Sequence, residues 1–221
     1  EELRIDSNGA YDIRVGSLIE LWGFKNNKGD WTPPKRDRII KTLSNNLNTS
    51  WSIENKVFTS SSPNINIDVN SLAKGLAVDV ISDLIKSLGL YDFMVEVGGE
   101  IYCSGLSIDS RKWKIGIEIP SFNERRHSKI LSLSGLAVAT SGDYRNYFKF
   151  NDKHYSHIID PRNGYPISHE LASATVISQR CVNSDAIATM LLVMGTVSAI
   201  DFIEKYDGVE CLLIERNLEG D

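Results

Sequence analysis

The chain has 221 residues with a formal net charge of −5, and 42% of its residues are hydrophobic. This composition is typical of a folded globular protein and argues against global disorder. The longest apolar stretch, residues 186–194, is about half of a membrane span, so we expect no transmembrane helix. The acidic balance, without an extended run of Lys or Arg, argues against nucleic-acid binding.

The cysteines exclude two common classes of site. Cys103, Cys181 and Cys211 are widely spaced, and no CxxC pair occurs, so zinc-ribbon and thioredoxin-like motifs are absent from the sequence. An odd number of cysteines cannot pair completely, and we interpret all three as small buried residues. Cysteine usage therefore does not determine the compartment.

Residues 1–60 carry the least regular pattern, and a short strand is predicted just after them. Residues 25–38 are polar and contain two consecutive prolines, which predicts a loop. Residues 39–47 are compatible with a short helix or turn. The alternation in residues 65–68 predicts a short strand.

A helix and a hairpin are predicted next. Apolar residues at three- and four-residue steps between residues 71 and 85 predict an amphipathic helix that ends near Gly89. These residues are Ala73, Leu76, Ala77, Val80, Ile81, Leu84 and Ile85. Residues 93–97 and 101–103 predict two strands joined at Gly98-Gly99, which is either a plain hairpin turn or a point of close ligand approach.

The rest of the chain alternates short strands with two helices. Strands are predicted at residues 113–119, 129–133, 137–140, 144–150, 155–159, 173–178 and 209–214. Helices are predicted from a cap at Asn183 or Ser184 to Met194, and over residues 197–206. Many hairpin-linked strands with several helices indicate an α+β fold with mixed, mostly antiparallel sheets.

An acid and a hydroxyl are the first candidate site. Asp185 and Thr189 are four residues apart on an apolar helix and therefore share one face. Oxygen donors of this kind suit Mg²⁺. The alternative is that Asp185 caps its own helix and Thr189 bonds back to a carbonyl group.

The second candidate lies where the predicted strand at residues 65–68 leads into a helix. Backbone N–H groups at a helix N-terminus favour anions, and Lys74 adds a positive charge suited to phosphate. The GxxxxGK[ST] spacing of a Walker loop is absent from the sequence. The alternative is a capped helix with a lysine that faces solvent.

The third candidate combines hydroxyls with a histidine. Thr140 or Ser141, next to Gly142, could donate to phosphate oxygens. His157 lies in an apolar stretch and could carry a proton near neutral pH, or it could be a core histidine with satisfied hydrogen bonds. No serine lies in a GxSxG motif, so a hydrolase triad is unsupported.

Six ordered segments together resemble the ApbE family of FAD:protein FMN transferases. They are residues 9–24 (GAYDIRVGSLIELWGF), 68–79 (DVNSLAKGLAVD), 95–99 (VEVGG), 140–144 (TSGDY), 157–166 (HIIDPRNGYP) and 185–195 (DAIATMLLVMG). The resemblance implies the α+β architecture of that family. We expect a single domain of this type over residues 1–221, without the N-terminal segment that family members carry.

The resemblance also implies roles for individual residues. FAD would contact Ala10, Tyr11, Asp12, Asp68, Lys74 and the backbone near Ile159. Mg²⁺ would be held by the main-chain oxygen of Ser71 and by Asp185 and Thr189. With Thr140 and Ser141 on the pyrophosphate and His157 as base, the expected reaction is Mg²⁺-dependent transfer of FMN from FAD to a Thr or Ser hydroxyl, which releases AMP.

Partners and compartment follow from the same resemblance. The expected acceptor is a flavoprotein subunit of a membrane electron-transport complex, and the expected location is exported, either periplasmic or anchored at the inner membrane. Two alternatives remain: an FAD pyrophosphatase that forms FMN and AMP, and a non-catalytic FAD-binding protein. The sequence does not indicate an oligomeric state.

Overall fold

The computed structural model describes residues 1–25, 31–120, 127–144 and 146–216, without the side chains of residues 127 and 128. The described residues form two compact units. Unit 1 lies within residues 1–69 and 146–168, and unit 2 within residues 70–145 and 169–221. The expectation of one family-type domain stays a prediction.

The elements follow one another in the order of the chain. They are α1 (Glu2–Asp6), a 3₁₀ turn (Ile13–Val15), α2 (Gly16–Leu21), α3 (Arg36–Leu47), β1 (Trp51–Glu54), β2 (Val57–Ser60), α4 (Asn70–Ser87), β3 (Phe93–Val97), β4 (Glu100–Ser104), β5 (Trp113–Glu118), β6 (His127–Leu133), β7 (Leu136–Gly142), β8 (Tyr147–Phe150), β9 (Lys153–Ser156), β10 (Leu171–Ser178), α5 (Cys181–Met194), α6 (Thr196–Ile203) and β11 (Glu210–Glu215).

Unit 1 is built around a small aromatic and aliphatic core. Leu18, Trp22, Ile39 and Ile159 are buried together. The indole N–H of Trp22 donates to the carbonyl oxygen of Gly164 at 2.8 Å, so the polar edge of the ring is satisfied inside the core. This core connects the N-terminal helices to the segment that follows β9.

Unit 2 is built on a five-stranded antiparallel sheet in the order β11-β10-β7-β4-β3. Side chains alternate between its two faces, as the period of a strand requires. On β7, Ala137 packs with Val78 of α4 and Cys181 of α5, whereas Val138 packs with residues of the β5-β6 hairpin. Helices α4 and α5 therefore cover one face, and the hairpin covers the other.

The predicted fold class is confirmed, because helices combine with antiparallel strand pairs throughout the described residues. The β1-β2 hairpin was not predicted; its turn residues Asn55 and Lys56 both have positive φ, of 52° and 65°. Within the part of the chain that the structure describes, no helix combines the length and apolar character needed to cross a bilayer.

Several predicted element bounds were wrong. Residues 65–68 do not form a strand. The prediction was wrong because an alternation over four residues does not show whether a partner strand is available. The strand predicted at 144–150 begins only at Tyr147 as β8, and the one predicted at 155–159 lies earlier, as β9. Residue 145, and residues 26–30 of the predicted loop, lie outside the described residues.

The buried side of α4 differs from the face that its apolar pattern indicates. Val78, Asp79 and Ser82 are buried, whereas Val80 and Leu84 are 59% and 60% exposed. The helix turns its smaller and more polar residues towards α5 and the sheet, because close contact between the two helices leaves no room for large side chains. The predicted helix is confirmed, but the spacing of its apolar residues does not identify which side of the helix is buried.

Candidate functional site

Helix α5 is held in place by a buried acid on α4. Asp79, which is 2% exposed, accepts hydrogen bonds from the backbone N–H groups of Cys181 at 2.8 Å and Val182 at 3.0 Å. The predicted caps at Asn183 or Ser184 were wrong, since the helix begins at Cys181. The first N–H groups of α5, which have no acceptor within their own helix, therefore find one in a side chain of α4.

The carboxylate of Asp185 reaches the N-terminal part of α4 at Gly75. Its Oδ2 atom accepts a hydrogen bond from the backbone N–H of Gly75 at 2.9 Å, and the side chain is buried. In a regular helix the N–H of Gly75 would be directed at the carbonyl oxygen of Ser71. The structure therefore brings Asp185 next to the helical turn that begins at Ser71.

This approach depends on the absence of a side chain at residue 75. A Cβ atom added to Gly75 would lie 2.4 Å from the carbonyl oxygen of Cys181. The nearest atoms, in Cys181 and Val182, all belong to the backbone, which cannot rotate away as a side chain could. Gly75 thus permits the close contact of α4 and α5 on which the position of Asp185 depends.

A lysine and two acids meet beside this contact. The ammonium group of Lys74 lies 3.6 Å from Oδ1 of Asp185 and donates a hydrogen bond to Oε1 of Glu100. Glu100 is 2% exposed, and this burial raises the pKa of its carboxyl group against the lowering effect of the Lys74 hydrogen bond. Lys74 therefore joins two buried carboxylates and does not simply face solvent.

Glu100 was not among the site residues predicted from the sequence. It is the first residue of β4, directly after Gly98-Gly99, and it shares the helix-facing side of that strand with Tyr102. An acid at an inward-facing position of a strand is unusual, and this feature of the sequence could have marked Glu100 as a candidate site residue. The distant Lys74 that accounts for it could not be inferred from local sequence.

The two hydroxyls of the TSGDY segment point to opposite faces of the sheet. Ser141 Oγ lies 2.8 Å from Thr189 Oγ1 on α5. Thr140 Oγ1 lies 2.8 Å from Thr175 Oγ1, and Thr140 lines a cavity of about 350 Å³ with Gly98 and others. The structure therefore brings Ser141, but not Thr140, to the helix that carries Asp185.

The other predicted flavin-binding residues belong to unit 1. The Asp12 carboxylate accepts hydrogen bonds from the side chain and backbone of Arg14, each at 2.9 Å. The backbone N–H of Asp68 donates to the carbonyl oxygen of Ile13 at 2.7 Å, so Asp68 lies beside the segment of Asp12. Ala10, Tyr11 and Ile159 are buried.

His157 is also in unit 1 and is half-buried. Its Nδ1 atom lies 2.9 Å from the carbonyl oxygen of Asn146, and its ring meets the ring of Phe24 edge-on. These contacts orient the imidazole, which is what a proton carrier requires. Its role as a base stays a prediction.

The donors predicted for Mg²⁺ have the right chemistry for that ion. A carboxylate and a hydroxyl one turn apart on α5, with a main-chain oxygen on α4, provide hard oxygen ligands. The Lys74 ammonium beside Oδ1 of Asp185 shows that a positive charge is accommodated there. No group of three or more His, Cys, Asp or Glu side chains suited to a metal occurs among the described residues.

Comparisons with known proteins support the resemblance. The sequence matches the ApbE family over residues 1–213. The FAD:protein FMN transferase of Vibrio cholerae is 39% identical over 100% of this chain and 66% of its own length. The FAD:protein FMN transferase of Haemophilus influenzae is 34% identical over 98% of this chain and 65% of its own length.

A solved structure has the same fold. The flavin transferase ApbE from Vibrio cholerae superposes with a TM-score of 0.86 at 34% identity, over 99% of this chain and 69% of that one. The chain spans about two thirds of the length of the curated relatives it matches. Because the family match covers nearly every residue and the fold is shared, this chain belongs to the ApbE family.

Proposed function

We propose that the chain transfers FMN from FAD to a Thr or Ser hydroxyl of a target flavoprotein and releases AMP. The observation that carries this proposal is that Lys74 pairs with Asp185, one turn of α5 before the Thr189 that bonds to Ser141. Membership of a family in which curated relatives are FAD:protein FMN transferases supports it.

The reaction exchanges one phosphate ester bond for another. The acceptor hydroxyl oxygen attacks the phosphorus of the FMN half, and the bridging P–O bond of the pyrophosphate breaks. AMP leaves with the electron pair of that bond, and the hydroxyl proton passes to a base, for which we propose His157. Most of the catalytic effect in such transfers comes from positioning and charge stabilisation.

Unit 2 would supply the charge stabilisation. Lys74 provides a positive charge for the pyrophosphate, and Ser141 provides a hydroxyl donor. Asp185 and Thr189 would hold Mg²⁺ together with the main-chain oxygen of Ser71. When bound, the cation supplies positive charge that stabilises phosphate oxygens.

The remaining flavin contacts are proposed from the resemblance. Ala10, Tyr11, Asp12, Asp68, Thr140 and Ile159 would contact FAD. Burial of Ala10, Asp12 and Asp68 gives them fixed positions, which supports a binding role. The acceptor would be a flavoprotein subunit of a membrane electron-transport complex, and the compartment would be periplasmic or inner-membrane-anchored; both rest on the resemblance alone.

The test is mass spectrometry of a Thr-containing acceptor peptide after incubation with the chain, FAD and Mg²⁺. We expect the peptide to gain the mass of FMN less water, with equimolar AMP. Release of free FMN and AMP without a modified peptide would indicate the pyrophosphatase instead. FAD that stays bound and intact would indicate a binding protein.

The matched variants are Asp185→Ala and Asp201→Ala. Asp185 is buried against α4, whereas Asp201 is an exposed acid on α6. We expect D185A to lose FMN transfer and D201A to retain it. Unchanged turnover by D185A would refute the assignment of Asp185.

A further inference from the structure

We propose that the ammonium group of Lys74 is an internal counter-ion that competes with a divalent cation for Asp185, and that Glu100 is the positioning residue that holds the ammonium there. This inference rests on the proposed cation site at Asp185. It adds a residue, Glu100, and a coupling between cation binding and the position of Lys74.

The first observation is an excess of buried negative charge. Within the described part of the chain, Lys74 is the cation paired with both Glu100 and Asp185. Two carboxylates share one ammonium group, and each acid side chain is only 3% exposed. A buried charge without full compensation is unfavourable, so this cluster favours additional positive charge.

The second observation is an unsatisfied oxygen atom. Oε2 of Glu100 is buried and has no hydrogen-bond partner among the residues that the structure describes. Its other oxygen, Oε1, binds Lys74. A buried carboxylate oxygen without a protein partner is rare, and such an atom is suited to accept a water molecule or a cation.

The third observation is that Lys74 is partly exposed to solvent, whereas Asp185 is buried and bonded to the backbone. Asp185 is fixed by the N–H of Gly75 through Oδ2, which leaves Oδ1 directed at Lys74. The Lys74 side chain is 43% exposed, and its stem passes Gly98, where an added Cβ would lie 3.2 Å from Cδ. Lys74 can therefore move towards solvent, whereas Asp185 cannot.

These observations define an exchange of cations. A divalent cation that approaches Oδ1 of Asp185 meets the like charge of Lys74 at close range, and the two repel each other. The ammonium is the group that can leave, because lysine carries a single point charge on a flexible stem. Once displaced, Lys74 is available to a phosphate group.

The experiment measures Mn²⁺ affinity by electron paramagnetic resonance, with the whole chain and without FAD. Lys74→Met removes the competitor, so we expect Mn²⁺ to bind roughly tenfold more tightly or better. The matched control is Lys86→Met, on the same helix about 18 Å away. Lys86 donates to Tyr102 Oη at 2.8 Å, so K86M removes the same charge without touching Asp185.

The outcomes separate this inference from simple charge effects. An unchanged Mn²⁺ affinity in K74M would overturn it, as would an equal gain in K86M. Lys74→Gln repeats the measurement with a polar side chain if K74M does not fold. If Asp185→Asn binds Mn²⁺ as well as the wild type does, the cation assignment of the proposed function fails rather than the competition.

The role of Glu100 is tested by a double-mutant cycle. If Glu100 holds the ammonium near Asp185, K74M should improve Mn²⁺ affinity by less than about threefold in the E100Q background. A purely structural role for Glu100 would leave the gain from K74M undiminished, and that result would overturn the positioning role.

Discussion

The backbone N–H of Gly75 on α4 donates to Oδ2 of Asp185 on α5, with 2.9 Å between the nitrogen and the oxygen. This bond joins two segments that are 110 residues apart in the chain. It places the acid of one helix beside the N-terminal part of another, within reach of Lys74. The candidate chemistry of unit 2 depends on this contact.

Gly75→Ala tests the close approach of the two helices. In an exposed helix this change stabilises by about 1 kcal/mol, because alanine has the higher helix propensity. Here the new Cβ would lie 2.4 Å from the Cys181 carbonyl oxygen, so we expect the free energy of unfolding to fall by at least about 2 kcal/mol. Urea denaturation measures this free energy of unfolding. The control is Leu76→Ala, at an exposed neighbouring position, which should change the free energy of unfolding by under about 1 kcal/mol.

Asp79→Ala tests the cap on α5. The variant leaves two N–H donors in the first turn of the helix without their acceptor, so we expect a loss of about 2–4 kcal/mol of stability. Asp83→Ala is the control, because Asp79 and Asp83 both pair with Arg180, but the side chain of Asp83 is 51% exposed. The loss of stability in Asp83→Ala should stay below about 1 kcal/mol. Equal losses in the two variants would contradict the capping role.

Thr189→Val and Ser141→Ala form a matched pair. Each removes one partner of the same hydrogen bond, so each should cost about 1–2 kcal/mol of stability. Of these two residues, only Thr189 is a proposed cation ligand. We therefore expect T189V to weaken Mn²⁺ binding by about tenfold and S141A by under about threefold. Equal effects on Mn²⁺ affinity would speak against ligation by Thr189.

The buried thiols should be inert in the native protein. Burial raises the pKa of Cys103 to about 11 and that of Cys181 to about 12. At about pH 8 the thiolate fraction is then roughly one in a thousand or less, so iodoacetamide should label these residues only in concentrated urea. Peptide mass spectrometry reads the labelling, and rapid native modification of Cys103 would contradict the burial.

The same shifts have a consequence for stability. A thiol whose pKa is raised by folding stabilises the native state below its ordinary pKa of 9.0, and this contribution is lost as the pH rises towards 11 and 12. We therefore expect the unfolding temperature to fall above about pH 9, and Cys103→Ser and Cys181→Ser to reduce that alkaline fall.

The sequence by itself determined the α+β class, the helices α4 and α5, and the four-residue spacing of Asp185 and Thr189. These features are local: helical and strand periodicities depend on neighbours within a few residues, so the side-chain pattern alone reveals them. The order of six short segments also indicated the family. No tertiary contact is needed for either inference.

Only the tertiary structure decided which groups meet. Asp79 caps a helix 102 residues further along, and Glu100 reaches Lys74 from a strand 26 residues away. The buried side of α4 and the opposite directions of Thr140 and Ser141 likewise depend on how helices lie on the sheet. Local periodicity carries no information about such packing, because the partner of each group is supplied by a distant part of the chain.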